Sequence, residues 1–203
     1  MEEENRETER LTKAADEPKP DNIIRIAVLG QDLVGKTALI YRFIRDKFPS
    51  TRETTVEDQY KKIVNINDVE CQLEILDTAG QDIYQTMLES WIEFASCFLL
   101  VYSIDNEDSF TQVKQKYEKI VEKEGKQFFG VVIIGNKSDL DDNERKVKKE
   151  EAEMYASNIG VDVIETSALN NINVTEGFLK VSEIYLNNKI NKNEKKKLGC
   201  PCF

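Results

Sequence analysis

Apolar residues along this chain gather in short blocks, and charged stretches with apolar positions at helical spacing lie between them. Nearly continuous apolar runs at residues 23–29 (broken only by Arg25), 97–103 and 130–135 have the length and composition of strands buried on both faces. Residues 59–66 and 69–76 make two further strands around Asn67 and Asp68, a hairpin turn signal. In the second of these, Val69, Cys71, Leu73 and Ile75 share one face and Glu70, Gln72 and Glu74 the other, the pattern of a half-exposed strand. A short sixth strand covers 161–165, and residues 48–58, with Pro49 and four Thr or Ser, form a loop. Helical stretches cover roughly 38–46, 83–94, 108–123, 148–158 and 174–188. This alternation predicts an α/β fold: a mostly parallel, six-stranded sheet with helices on both faces, binding its ligand outside the carboxyl ends of the strands.

Composition narrows the picture. The 203 residues suffice for one domain, and 40% apolar with 33% charged content suits a globular body with polar tails. A net charge of −10 opposes general nucleic-acid binding, which needs a basic face. No apolar run approaches the roughly 18 residues that span a bilayer, and the N-terminus is too acidic for a signal peptide. Residues 1–20, rich in Glu and ending in Pro18-Lys19-Pro20, make a disordered acidic extension; the globular domain covers 21–189 and a basic tail 190–203. Of four cysteines, Cys71 and Cys97 fall in strands and Cys200 and Cys202 near the end, which is neither a zinc site nor a disulfide framework and points to a reducing cytosol. Histidine is absent, so any chemistry runs without an imidazole.

The chemistry centres on Gly30-Gln31-Asp32-Leu33-Val34-Gly35-Lys36-Thr37, which follows the first strand and opens the first helix. This is a G-x-x-x-x-G-K-[ST] phosphate loop in the strand–loop–helix setting the motif requires. Glycines let the backbone wrap phosphate oxygens, and successive N–H groups with the helix N-terminus present positive potential. Lys36 reaches the β- and γ-phosphates, and the Thr37 hydroxyl ligates Mg²⁺.

Three further strings stand at strand ends. In Asp77-Thr78-Ala79-Gly80-Gln81, Asp77 can hold Mg²⁺ through its water shell, Gly80 can offer a backbone N–H to the γ-phosphate, and Gln81 can orient an attacking water. Alone the string is as well a turn; after a phosphate loop it is specific. In Asn136-Lys137-Ser138-Asp139 the carboxylate can accept from guanine N1–H and the 2-amino group, which adenine lacks. The Lys137 stem can lie over the base. The same string is compatible with an Asx turn leading into the acidic loop 139–144. Glu165-Thr166-Ser167-Ala168-Leu169, weak alone, would bring backbone groups near the base O6.

In this order and spacing the residues resemble the Ras-like small GTPases, the Ras branch more than Rab or Rho, over about residues 22–189 and the last four residues. The resemblance implies a P-loop NTPase (small G-protein) fold. It also implies a monomeric GTP/GDP switch in membrane signal transduction, which hydrolyses GTP to GDP and phosphate with Mg²⁺. Nucleotide contacts would come from Asp32, Leu33, Val34, Gly35, Lys36, Thr37 and Ala38, from Gly80, and from Asn136, Lys137 and Asp139 with Ser167, Ala168 and Leu169. Phe48 stands where the family packs an aromatic on the base, and Thr55 where its switch I threonine joins Thr37 and Asp77 around Mg²⁺ only when a γ-phosphate is present. Lys36, Thr55 and Gln81 would carry hydrolysis, and loss of the γ-phosphate would release the segments around Thr55 and Gln81. Val56, Glu57, Asp58, Gln59 and Tyr60 are close to the family's effector-binding segment; an effector would pair its strand edge with 59–66 and meet Glu57 and Asp58 with basic groups. An exchange factor and a GTPase-activating protein are further implied partners.

Several positions depart from the family. Asp32 replaces a glycine beside the γ-phosphate, adding bulk and charge where Gln81 and an activator's arginine would fit. Such an arginine contributes roughly 10³–10⁵ in rate, so slow, activator-insensitive hydrolysis and a bias to the GTP form are expected, against the alternative that Asp32 points to solvent. Arg52 replaces a tyrosine, Thr54 a proline and Leu169 a lysine. At the end, Cys200-Pro201-Cys202-Phe203 fits a C-a-a-X prenylation signal on Cys200, although its middle pair is not aliphatic. Lys192, Lys195, Lys196 and Lys197 follow the last helix as a second, electrostatic signal for an anionic leaflet, which predicts the cytoplasmic face of a membrane, the plasma membrane first. A constitutively GTP-bound signalling module is the alternative that Asp32 favours and Gln81 opposes. A P-loop kinase or ATPase is opposed by Asn136-Lys137-Ser138-Asp139.

Overall fold

The computed structural model describes residues 22–49, 57–80, 87–124 and 130–197. Six strands, β1 (Asn22–Gly30), β2 (Glu57–Ile66), β3 (Val69–Thr78), β4 (Cys97–Ser103), β5 (Gly130–Asn136) and β6 (Asp162–Thr166), form one sheet in the order β2-β3-β1-β4-β5-β6. All neighbours pair parallel except the β2–β3 hairpin. Its turn residues Asn67 and Asp68 have φ of 51° and 64°, the double left-handed conformation of a two-residue hairpin turn, and Ile66 pairs with Val69 across it. Asn and Asp tolerate that conformation better than other side chains, so the sequence signal had a mechanism.

The helices are α1 (Lys36–Arg45), α2 (Leu88–Phe94), α3 (Glu107–Glu124), α4 (Lys149–Ile159) and α5 (Val174–Lys197). Two cores form, one per sheet face. Leu39, Ile40 and Phe43 of α1 and Phe178 and Val181 of α5 meet Ile24, Ile26 and Val28 of β1 on one side. Trp91 of α2, Phe110 and Val113 of α3 and Ala152 and Ala156 of α4 meet Ala27, Phe98 and Leu100 on the other. Strands β4 and β5 are buried along their whole length, as two covered faces demand, while in β3 Cys71, Leu73 and Ile75 are buried and Gln72 and Glu74 are not. The α/β, doubly covered, mostly parallel sheet is therefore as expected.

Boundaries differ where local stop signals are weak. Asp77 and Thr78 lie within β3 and Asn136 within β5, so those motifs start inside the sheet rather than after it. β2 begins at Glu57, inside the stretch expected as loop. The largest difference is α5, which runs on to Lys197 instead of ending near 188. Lys192, Lys195, Lys196 and Lys197 thus lie on the helix and do not follow it. Nothing from 189 to 197 is Gly or Pro, and Lys, Asn and Glu impose no stop before Gly199. Among the described residues no helix is long and apolar enough to cross a membrane. Arg52, Thr54, Thr55, Val56, Gln81, Cys200 and Cys202, with the extension 1–20, lie outside the described residues.

Candidate functional site

β1 lies at the centre of the sheet, and the chain leaves it on one side for β3 and β2 and on the other for β4 to β6. The crevice of such a reversal opens at the carboxyl ends of the strands, where the loop 30–37 sits. Gly35 has φ 97°, a conformation that strains any other residue, and a Cβ on it would collide with the Asn136 amide. α1 starts directly at Lys36 with no side-chain cap, leaving its first N–H groups to face the loop. Lys36 is 6% exposed and donates to the carbonyls of Gly30 (3.1 Å) and Gln31 (3.0 Å). Burial pulls its pKa down to about 8, against the attraction of Asp77 and Asp32.

Asp77 stands beside β1 at the register of Val28 and is fully buried. Burial pushes its carboxyl up to about 6; the nearby Thr37 hydroxyl and the Lys36 ammonium act in the opposite direction. Among the described residues neither of its oxygens accepts a hydrogen bond of good geometry. Its neighbour Thr78 instead bonds the Val28 carbonyl at 2.8 Å, which fixes the strand end. Gly80 closes on the loop from the other side: a Cβ there would lie 2.5 Å from the Asp32 Cα and 2.6 Å from the Gln31 carbonyl carbon. Asp32 is exposed and its Oδ1 accepts from the Leu33 N–H at 2.9 Å, while Leu33 is 72% exposed with φ 63°.

The other two motifs converge on the same rim. Asn136, 2% exposed, donates to the Val34 carbonyl (2.8 Å) and accepts from the Thr166 hydroxyl (3.2 Å) and the Ala168 N–H (3.3 Å). One amide thereby joins the phosphate loop to the 166–168 segment. The Ser167 hydroxyl donates to Asp139 and accepts from the Asn170 N–H, orienting the carboxylate. Lys137, with φ 68°, reaches Asp105 at 3.3 Å, and the Asp105 carboxyl, itself bonded by Ser103 and Lys137, is held below its ordinary range despite partial burial. Val34 is buried, Ala38 is half-buried against the α1–α5 core, and Phe48 (44%) and Leu169 (53%) are exposed.

Several residues around this rim carried no motif. Asn106 caps α3 by accepting from the Ser109 N–H and also donates to the Gln31 side chain at 3.2 Å. Its place before Glu-Asp-Ser was a readable cap signal, but the reach to Gln31 was not. Arg145 and Glu165 make a bidentate pair beneath the base-loop segment. Arg42 of α1 donates to the carbonyls of Ala168 and Leu169, both at 2.9 Å. Glu57 accepts from the Trp91 indole N–H at 2.7 Å, so one of the two carboxylates expected to meet an effector is also engaged within the chain.

A mostly parallel sheet with a G-x-x-x-x-G-K-T loop at the end of its central strand and a buried acidic strand end beside it defines a P-loop nucleotide-binding protein. The Ras family profile matches residues 25–187. The chain is 38% identical to the Ras-like protein rasC of Dictyostelium discoideum over 183 residues, 88% of this chain and 97% of that protein. It is 33% identical to the mouse Ras-related protein R-Ras over 92% of this chain and 88% of that protein. With the Ras-like protein 1 of Saccharomyces cerevisiae the identity is 40%, over 76% of this chain and 50% of that protein. The chain belongs to the Ras family, and it is a GTP hydrolase of the small GTPase kind.

Proposed function

We propose that the chain is a GTP/GDP switch in membrane signalling whose hydrolysis is slowed by Asp32. The observation that carries this reading is the contact of Gly80 with the Asp32 backbone. Gln81 follows Gly80 in the chain, and Gly80 packs on the backbone of the residue that stands where the family has glycine; the Asp32 carboxylate itself is exposed and accepts from the Leu33 N–H. A fixed negative charge there opposes both the charge of a γ-phosphate and an incoming arginine.

The remaining residues have distinct tasks in this reading. Lys36 turns from the Gly30 and Gln31 carbonyls to the β- and γ-phosphates and stabilises the charge on the transferring group. Val34, Gly35, Thr37 and Ala38 offer backbone N–H groups, and Gln81 orients the water. A Mg²⁺ ion, held by Thr37 and Thr55 and through water by Asp77, would supply charge neutralisation on the phosphates. The residues fit it: among the described residues Asp77 accepts no hydrogen bond of good geometry, and it is fully buried with the Thr37 hydroxyl close by. Asp139, held by Ser167, selects guanine, with Lys137 and Phe48 against the base and the 167–169 backbone at O6. Residues 56–60 meet effectors, Cys200 carries a prenyl group, and the lysines of late α5 favour an anionic cytoplasmic leaflet.

Single-turnover GTP hydrolysis tests the reading. Asp32→Gly should hydrolyse bound GTP clearly faster than the wild type, most of all with an arginine-supplying activator, and Gln81→Leu should be slower than both. Equal rates for the wild type and Asp32→Gly would make this an ordinary cycling switch.

A further inference from the structure

We propose that Arg42 is a positioning residue for the base end of the site: its guanidinium holds the 168–169 backbone in the shape that guanine meets and so sets how long nucleotide stays bound. This rests on the reading of Asp139 and residues 167–169 as the base site. Arg42 lies in the last turn of α1, 126 residues away in sequence from Ala168, and its side chain is only 14% exposed. All three guanidinium nitrogens donate to carbonyls: Nε to Ala168 at 2.9 Å, Nη2 to Leu169 at 2.9 Å and Nη1 to Asp46 at 3.0 Å. Two successive loop carbonyls therefore face one rigid planar fork, which fixes both of the peptide planes they belong to.

The opposite side of that segment carries the contacts of the base end. The Ala168 N–H bonds Asn136, and the Ser167 hydroxyl bonds Asp139. The loop has no strand or helix of its own here; an isolated bridge between Ser167 and Ile172 is its nearest regular pairing. Ala168 is 4% exposed, so without Arg42 its carbonyl would be left with a poor substitute in water. A second tether, Asn171 to Asp46 at 2.9 Å, is exposed and reaches only the far end of the loop. Arg42 also belongs to the helix that begins at Lys36 and Thr37. One side chain thus ties the base loop to the same rigid element that carries the phosphate-loop lysine.

The test is release of a fluorescent GDP analogue from the full chain at constant Mg²⁺, with GDP-against-ADP competition and thermal unfolding on the same samples. Arg42→Met should release nucleotide roughly tenfold faster and narrow the preference for GDP over ADP. Arg42→Lys, which can reach one carbonyl, should recover part of both effects. Arg45→Ala, whose guanidinium stacks on Tyr41 instead, should behave as the wild type. Wild-type release by a folded Arg42→Met chain overturns the proposal. So does faster release with an unchanged GDP preference, because that is a general loosening. Where Arg42→Met does not fold, Arg42→Lys and Arg42→Gln carry the same comparison. A wild-type chain that binds ADP as tightly as GDP overturns the base-site reading itself, and the proposal with it.

Discussion

The base end and the phosphate end of the site solve opposite problems. Around Asn136 and Ser167 the motif side chains have protein partners: amide to carbonyl, hydroxyl to amide, hydroxyl to carboxylate, guanidinium to two carbonyls; the Tyr102 hydroxyl beside Gly135 is the exception among the described residues. Around Asp77 the balance differs: among the described residues its fully buried carboxylate has no hydrogen bond of good geometry, with the Thr37 hydroxyl and the Lys36 ammonium nearby, and the buried lysine is held by main-chain carbonyls. A satisfied network rigidifies and specifies; an unsatisfied buried charge costs stability and is retained where a ligand uses it. One pocket can thus combine a recognition surface built in advance with a reactive surface whose groups are energetically expensive to keep.

Substitutions should separate the two ends by sign as well as by size. The largest effect is expected at Asn136→Ala, which removes one donor and one acceptor and leaves the Val34 carbonyl and the Ala168 N–H without their partner. Urea unfolding should show a loss of about 3 kcal/mol, and GDP affinity should fall with it. Asp77→Asn should move the other way in the nucleotide-free chain, gaining about 2 kcal/mol at about pH 7.5. Burial outweighs the attraction of Lys36 and Thr37 in raising the Asp77 carboxyl, so the ionised group costs more than it returns. The sign follows from the raised carboxyl. Between its ordinary 3.8 and about 6 the folded chain binds the extra proton, so wild-type stability falls as pH rises through that window. The gain of Asp77→Asn should therefore shrink as pH drops below about 6 and be absent below about 3.8, where Asp77 is protonated in both states; a gain that does not change across that window would mean the buried charge is not its source. The smallest effect is expected at Arg145→Ala. Its pair with Glu165 is bidentate but partly solvated, with side chains 20% and 18% exposed, so a loss of about 1 kcal/mol in thermal or urea unfolding is expected.

Most of the architecture was legible because its signals are local. The apolar runs of β1, β4 and β5, the alternation in β3 and the Asn67-Asp68 turn each act over a few residues. The motif strings were legible for the same reason, since each hangs on one strand end. What escaped were features that depend on the assembled fold. Arg42 looks like one more polar residue on an amphipathic helix, and only the packing of α1 beside the loop after β6 gives its donors two carbonyls. Asp105 and Lys137 meet because β4 and β5 are neighbours. The length of α5 was missed because a change from apolar to lysine-rich sequence is a change of environment, and it does not by itself end a helix.

The contact between Trp91 and Glu57 has an optical consequence. This chain contains one tryptophan, and its indole N–H is bonded to a carboxylate at the start of β2, while the ring is packed in the core beneath α2. Indole emission responds to the charge and hydration at its nitrogen, and with excitation chosen to pass over the seven tyrosines the protein carries a single tryptophan reporter set between β2 and α2, the elements that border residues 50–56 and 81–86. Any rearrangement that parts Glu57 from α2 would register as a change in colour or brightness of the native chain, with no dye attached.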